Sequence, residues 1–382
     1  QEQQEQQEQQ EQQEQQEQQQ QQQQQEQQEQ QQQQQQQHHH HHHYHHHYQQ
    51  QHQLKQPQQQ HHHHYQQQHQ LRQPQQQSQP LQSFDLSKLT EDQWRQLSLT
   101  KSIIPLTHLG EGTSGTVVKA RLRNHSSIFA LKQIIASDTE TSKQLLRELR
   151  FNKEFHSEFI VTYYGMFLNE RTASVYIAME FMSGGSLDAI YKHAISHNRI
   201  IGEKVIGKIN DAVLQGLTYL NSKGVIHRDI KPQNILIDGC GKTKICDFGV
   251  SGILENSFAT TFTGTSFYMA PERIQGGSYS ITSDIWSLGL TLMEVSIGCF
   301  PLDLSLESSP IDILSEIINF KPDLPSVRSK GFSKSYVSFI DFCLRSNPKE
   351  RPSARQLLEH PWAKGQRKKT VDMKAWVEAC WN

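Results

Sequence analysis

Two regimes of hydrophobic patterning meet near residue 84. Before it, apolar positions are almost absent, and Gln, Glu and His fill the chain. Glu recurs at every third position from Glu2 to Glu17, and 15 of the 22 His lie in residues 1–69. A segment with so little apolar surface cannot offset the entropy of ordering a chain. A period of three matches no repeat that buries a core. Residues 1–83 are therefore expected to form a disordered low-complexity tail outside the fold.

Beyond Phe84 the pattern predicts elements. Val117–Ala120 and Ile128–Lys132 read as strands around a polar turn at 123–127. Lys143–Phe151, KQLLRELRF, sets Leu145, Leu146 and Leu149 on one side of a helix. Val175–Met179 and Ile235–Ile237 read as further strands. At the far end Met373, Trp376, Val377 and Cys380 stand at helical spacing and make one apolar stripe. Such a stripe either packs on its own protein or is offered to a partner.

Composition narrows the class. About 300 residues follow the tail, enough for a core split into two lobes. Residues 84–103 read as a linker, 104–362 as the folded domain, and 363–382 as a helical extension. Within the linker, Arg95–Leu99 carries one basic residue before alternating apolar ones and reads as a surface strand or a weak docking motif. The net charge of −2 gives no bulk attraction to nucleic acid or acidic membrane. No apolar run approaches membrane-spanning length and no signal peptide is visible. Five Cys without zinc-ligand spacing fit a reducing compartment, here the cytoplasm. The first residue is Gln, so the chain reads as part of a longer protein.

The first chemistry is Gly110-Glu111-Gly112-Thr113-Ser114-Gly115-Thr116-Val117. A strand follows it rather than a helix, so it joins two antiparallel strands, as in a flap whose backbone lies over phosphates. No Gly-Lys-Ser/Thr closes it, which excludes a Walker loop. Lys132 ends an apolar run and reads as a strand-end surface charge unless an acidic partner exists. Glu148, near the inward face of the predicted helix, is the candidate, and the pair would hold phosphates.

Then come HRDIKPQN at His227–Asn234 and CDFG at Cys246–Gly249. With GEGTSGTV, FALK, RELR, APE, SDIWSLG and a late Arg351, the ordered set resembles eukaryotic protein kinases over about residues 104–362. The resemblance implies an α+β bilobal fold: a small antiparallel-β N-lobe with one major helix and a larger, mainly helical C-lobe. It implies ATP and Mg²⁺ as cofactors. Asp229 would take the proton of the acceptor hydroxyl, Lys231 would steady the γ-phosphate, and Asn234 and Asp247 would ligate Mg²⁺. Leu109, the glycine loop from Gly110 to Val117, Ala130, Met179, Glu180, Phe181, Met182, Ser186 and Leu236 would complete the ATP site. Asp284 would anchor the catalytic loop, and Glu272 and Arg351 would pair.

The stretch SFATTFTGTSFY, Ser257–Tyr268, holds seven hydroxyl side chains in twelve residues. After DFGVSG this resembles MAP kinase kinases, which implies Ser257 and Thr261 as phosphate acceptors. Thr265 would hydrogen-bond the catalytic Asp and Lys. FTGTSFYMAPERIQG and the final KAWVEACW are similar to fungal members of the cell-wall-integrity pathway. The implied activity is phosphorylation of Thr and Tyr on a downstream MAP kinase, after activation by an upstream MAP kinase kinase kinase, with a scaffold as a further partner. A Ser/Thr kinase of another branch, or a Gln-rich scaffold with an inactive kinase fold, stays open as an alternative.

Overall fold

The computed structural model describes residues 84–112, 115–248, 267–302 and 310–381. Five strands, β1 (Ile103–Gly112), β2 (Gly115–Leu122), β3 (Ile128–Ile135), β4 (Tyr163–Asn169) and β5 (Ser174–Glu180), form an antiparallel sheet in the order β1-β2-β3-β5-β4. The strands expected around the polar turn are β2 and β3, with Val117 opposite Lys132. β3 then pairs with β5, setting Ala130 opposite Met179. Alternation sorts the side chains of β3. Ala130 and Lys132 face the cleft described below. Phe129 and Leu131 join an outer core with Trp94, Leu122 and Phe167.

The helix read from KQLLRELRF is α2 (Thr139–Leu149), started by Asp138, which accepts from the Thr141 amide at 2.7 Å. Leu145, Leu146 and Leu149 are buried against the sheet.

Residues 84–103 are not a linker. They contain helix α1 (Glu91–Leu99), opened by a capping box between Thr90 and Gln93. Trp94 is fully buried, with Phe129 edge-on at 5.3 Å and Phe167 stacked at 6.4 Å. A Cβ at Gly165 would lie 2.2 Å from Trp94 Nε1, so only glycine leaves room there. Arg95–Leu99 accordingly belongs to a helix, not to a surface strand. Trp94 is the one buried residue of α1, so no apolar stripe announces it.

The C-lobe is mainly helical: α3 (Leu187–Ser196), α4 (Glu203–Ser222), α5 (Ile281–Ile297), α6 (Pro310–Ile318), α7 (Lys334–Cys343), α8 (Pro361–Arg367) and α9 (Met373–Cys380). A small sheet, β6 (Gly185–Ser186), β7 (Ile235–Ile237) and β8 (Thr243–Ile245), lies beside them. Helix α5 is buried from Ser283 to Ser296, as expected of a helix apolar nearly all round. The molecule is thus α+β and bilobal. Among the described residues no helix is long and apolar enough to cross a membrane.

The stripe of α9 is covered by its own lobe. Val377 is buried, and Met373, Trp376 and Cys380 pack against the main core. A Cβ at Gly241 would lie 2.4 Å from Met373 Cβ, and one at Gly184 would lie 3.1 Å from Val377 Cγ1. Deleting residues 370–382 is therefore expected to lower the melting temperature by at least roughly 3–6 °C in a thermal-shift assay, since the burial of Val377 and the packing of Met373, Trp376 and Cys380 are lost together. An unchanged melting point would contradict this packing.

Candidate active site

The sheet and the C-lobe enclose a cleft of about 760 Å³. Its lining includes most residues predicted for the nucleotide: Leu109, Gly110, Glu111, Gly115, Val117, Ala130, Lys132, Met179, Glu180, Phe181, Met182, Ser186, Asn234, Leu236 and Asp247, and also Lys231. Gly112 and Gly115 close the β1–β2 hairpin opposite each other. Gly115 has φ 119°, and a Cβ there would sit 2.0 Å from the Gln133 carbonyl oxygen, so the turn requires glycine. Thr116 lies in β2, opposite Gln133. Thr113, Ser114, Ser257, Thr261 and Thr265 lie outside the described residues.

Five polar groups meet at the inner end. Lys132, 1% exposed, sets Nζ 2.9 Å from Asp247 Oδ1. Asp229 Oδ2 is 2.9 Å from Lys231 Nζ and accepts from Asn234 Nδ2 at 2.8 Å. The same Nδ2 also donates to the Asp229 carbonyl at 2.8 Å, which closes the loop on itself. Asp229 Oδ1 is buried and accepts no hydrogen bond among the described residues. A buried oxygen of this kind costs free energy unless a ligand uses it.

The expected Lys132–Glu148 pair is not formed, which corrects the sequence reading. Ser142, Leu145, Leu146 and Leu149 make up the buried face of α2. Glu148 stands beside that face in solvent and accepts from Gln144 Nε2 at 3.1 Å. A carboxylate at the edge of an apolar stripe can turn outward at no desolvation cost, and the ammonium is taken by Asp247 instead.

The loops carrying these groups are held from behind. Asp284, buried in the first turn of α5, accepts from the His227 amide at 2.9 Å and the Arg228 amide at 2.8 Å. Burial pushes its carboxyl up to about 7, against both amide bonds, which favour the charged form. Arg228 and Asp247 have φ 72° and 63°, left-handed values that non-glycine residues keep where the surroundings over-determine them. The Asp247 amide donates to Tyr163 Oη at 3.0 Å. Phe248 is fully buried between Phe155 and Tyr163, and Asn152 Nδ2 donates to its carbonyl at 3.1 Å. Burial holds His227 down at about 4, so the ring is neutral and accepts from the Asp229 amide at 3.3 Å. Cys246 also lines the cleft, and burial pushes its thiol well up, away from the reactive thiolate.

At the end of β5, Glu180 pairs with Lys244 at 2.7 Å and accepts from the Thr162 amide at 3.1 Å. At the outer floor, buried Glu294 accepts from both Tyr191 Oη and Tyr268 Oη at 2.5 Å. Burial raises the Glu294 carboxyl above its ordinary range. Sequence reasoning passed over this triad, although a single carboxylate in the apolar run SLGLTLMEVSI was a legible signal.

Asn234 and Asp247 are hard oxygen donors on the cleft wall and fit a divalent cation as two ligands. Among the described residues no cluster of three or more His, Cys, Asp or Glu is arranged for a metal. A cation here would therefore draw the rest of its shell from phosphate oxygens and water, as Mg²⁺ does.

The chain matches the protein kinase domain family over residues 104–363. It is 53% identical over 304 residues to "MAP kinase kinase MKK1/SSP32" of Saccharomyces cerevisiae, covering 78% of this chain and 60% of that one. It is 48% identical over 301 residues to "MAP kinase kinase skh1/pek1" of Schizosaccharomyces pombe, covering 78% and 83%. It is 41% identical over 298 residues to "Dual specificity mitogen-activated protein kinase kinase dSOR1" of Drosophila melanogaster, covering 71% and 73%. The match to the budding-yeast protein thus spans less than two thirds of that relative's length. With the kinase match covering most of the chain, and with relatives at this identity, the chain belongs to the protein kinase family and, within it, to the MAP kinase kinases.

Proposed function

We propose that the chain is a dual-specificity MAP kinase kinase that moves the γ-phosphoryl group of ATP to Thr and Tyr of a MAP kinase activation loop. The observation that carries the phosphoryl-transfer reading is the convergence of Lys132, Asp229, Lys231, Asn234 and Asp247 at one end of the cleft, and the MAP kinase kinase relatives support the choice of acceptor. Phosphoryl transfer needs charge neutralisation and alignment more than covalent chemistry, and these groups supply both. Asp229 Oδ1, buried and without a hydrogen bond among the described residues, takes the proton of the acceptor hydroxyl as that oxygen bonds to phosphorus and the bond to ADP breaks. Lys231 and Asn234 fix the other carboxylate oxygen and so aim Oδ1. Asn234 and Asp247 would hold Mg²⁺, which supplies charge neutralisation for the phosphates when bound.

The Lys132–Asp247 pair has to open before Asp247 takes a cation. That step is where an activating input acts, and Ser257 and Thr261 are its proposed phosphate acceptors. Arg228, exposed beside Asp229, is the proposed partner for the added charge. An upstream MAP kinase kinase kinase would install it, in the cytoplasm and with a scaffold as a further partner. The likeness of FTGTSFYMAPERIQG to fungal relatives supports a place in the cell-wall-integrity pathway.

Replacing Ser257 and Thr261 together by Asp is expected to raise basal activity on a MAP kinase about 5–150-fold, the range that coupling free energies of ~1–3 kcal/mol give. Replacing both by Ala is expected to block activation by the upstream kinase. Phosphopeptide mapping that finds only Thr260 and Thr263 modified would overturn the assignment.

A further inference from the structure

We infer that Trp381 is a wall of the nucleotide cleft, fixing the backbone just past the adenine-contact strand and offering its indole face to the sugar side of the ligand. The inference rests on the reading of the cleft as an ATP site. Trp381 follows α9, the helix that packs beneath Gly184 and Gly241. Its Nε1 donates to the Gly184 carbonyl at 3.1 Å. Its ring centroid is 5.2 Å from that of His193 on α3. A Cβ at Gly185 would lie 3.4 Å from Trp381 Cζ2, so the ring rests directly on that residue.

The placement matters because of what it touches. Gly184 and Gly185 join the strand end at Glu180–Met182 to Ser186, where α3 begins. Two consecutive glycines leave this backbone free to move, and Gly185 has φ 91°. The indole hydrogen bond, together with Val377 under Gly184, takes that freedom away. Trp381 as a whole stays 46% exposed and lines the cleft alongside Ser186, Asp188 and Lys192. An indole with its N–H bonded to protein and its face open to a cleft is an apolar platform awaiting a ligand. The groups next to it are polar and close to Ser186, which suits a ribose edge more than a purine. A substituent on the 2′ or 3′ hydroxyl of ADP would lie against the ring.

The test uses the full chain and ADP carrying an N-methylanthraniloyl group on its ribose, with Mg²⁺. In the wild-type chain, tryptophan excitation is expected to give sensitised emission from the bound probe. Trp381→Phe, which keeps a ring against His193 but loses the bond to the Gly184 carbonyl, is expected to lower that emission and to weaken binding less than Trp381→Ala does. Trp381→Ala is expected to raise Kd for the probe and KM for ATP about fivefold, with kcat changing less than KM. A purely structural role would lower kcat and the melting temperature instead. Undiminished sensitised emission in Trp381→Phe, or wild-type Kd and KM in Trp381→Ala, would overturn the inference. Failure of the wild-type chain to bind the probe at all would strike the nucleotide reading itself, and this inference with it.

Discussion

Lys132→Met is expected to reduce phosphoryl transfer by ~10²–10³-fold, the scale on which preorganised charges at a developing transition state act. Lys132 is almost wholly buried, in register with Ile177 on β5 and Val117 on β2. Methionine replaces the stem of the side chain with little change in volume, so the sheet keeps its packing. What is lost is the ammonium, 2.9 Å from Asp247. Asp247 is 16% exposed in its side chain, so water can partly compensate for the lost partner. Asp247→Asn removes the carboxylate proposed for the cation and should give a similar loss. Single-turnover transfer from labelled ATP, with thermal melts run in parallel, checks both. A variant that keeps near-wild-type kcat would remove its residue from the site.

Arg351→Ala is expected to cost about 3–5 kcal/mol of stability, the usual penalty for breaking a buried ion pair from one side. The Arg351 side chain has no exposed surface, and it meets Glu272 through two bonds at 2.8 and 3.0 Å. It also donates to the carbonyls of Thr282 and Arg345, and its guanidinium lies 5.3 Å from the Trp286 ring centre. Burial pushes the Glu272 carboxyl up, yet the Arg351 bond and charge outweigh it and leave it below its ordinary range. Removing Arg351 strands that carboxylate next to Ser283, where α5 begins. A melting point lower by roughly 5–10 °C is the expected reading for a domain of this size. No shift would show the pair to be dispensable.

The strand pair around the glycine loop was legible because it rests on local pattern, whereas the two lobes and the inner-end residues were expected only through the ordered kinase motifs. β2 and β3 declare themselves by apolar runs around a polar turn, and α2 by Leu145, Leu146 and Leu149. Where the sequence misled, the deciding physics was tertiary. Glu148 sits one position from the apolar stripe, and spacing alone cannot say whether such a residue turns in or out. Helix α1 hangs on a single buried ring, Trp94, seated by the missing side chain of Gly165. The Tyr191–Glu294–Tyr268 triad and the Trp381–Gly184 bond join residues far apart in the chain, and no periodicity carries such contacts. The stripe of α9 was visible, but its two possible uses were not separable until Val377 was seen buried over Gly184.

The central claim is transfer to both Thr and Tyr of a MAP kinase, and one experiment addresses it. The chain with Asp at positions 257 and 261 is incubated with Mg²⁺, ATP and a catalytically inactive MAP kinase, and phosphosites on that substrate are mapped by mass spectrometry. Phosphate on both the Thr and the Tyr of the substrate's activation loop, absent when Asp229 is replaced by Asn, is the predicted result. Phosphate on Ser or Thr alone, or transfer that persists in Asp229→Asn, would contradict the account.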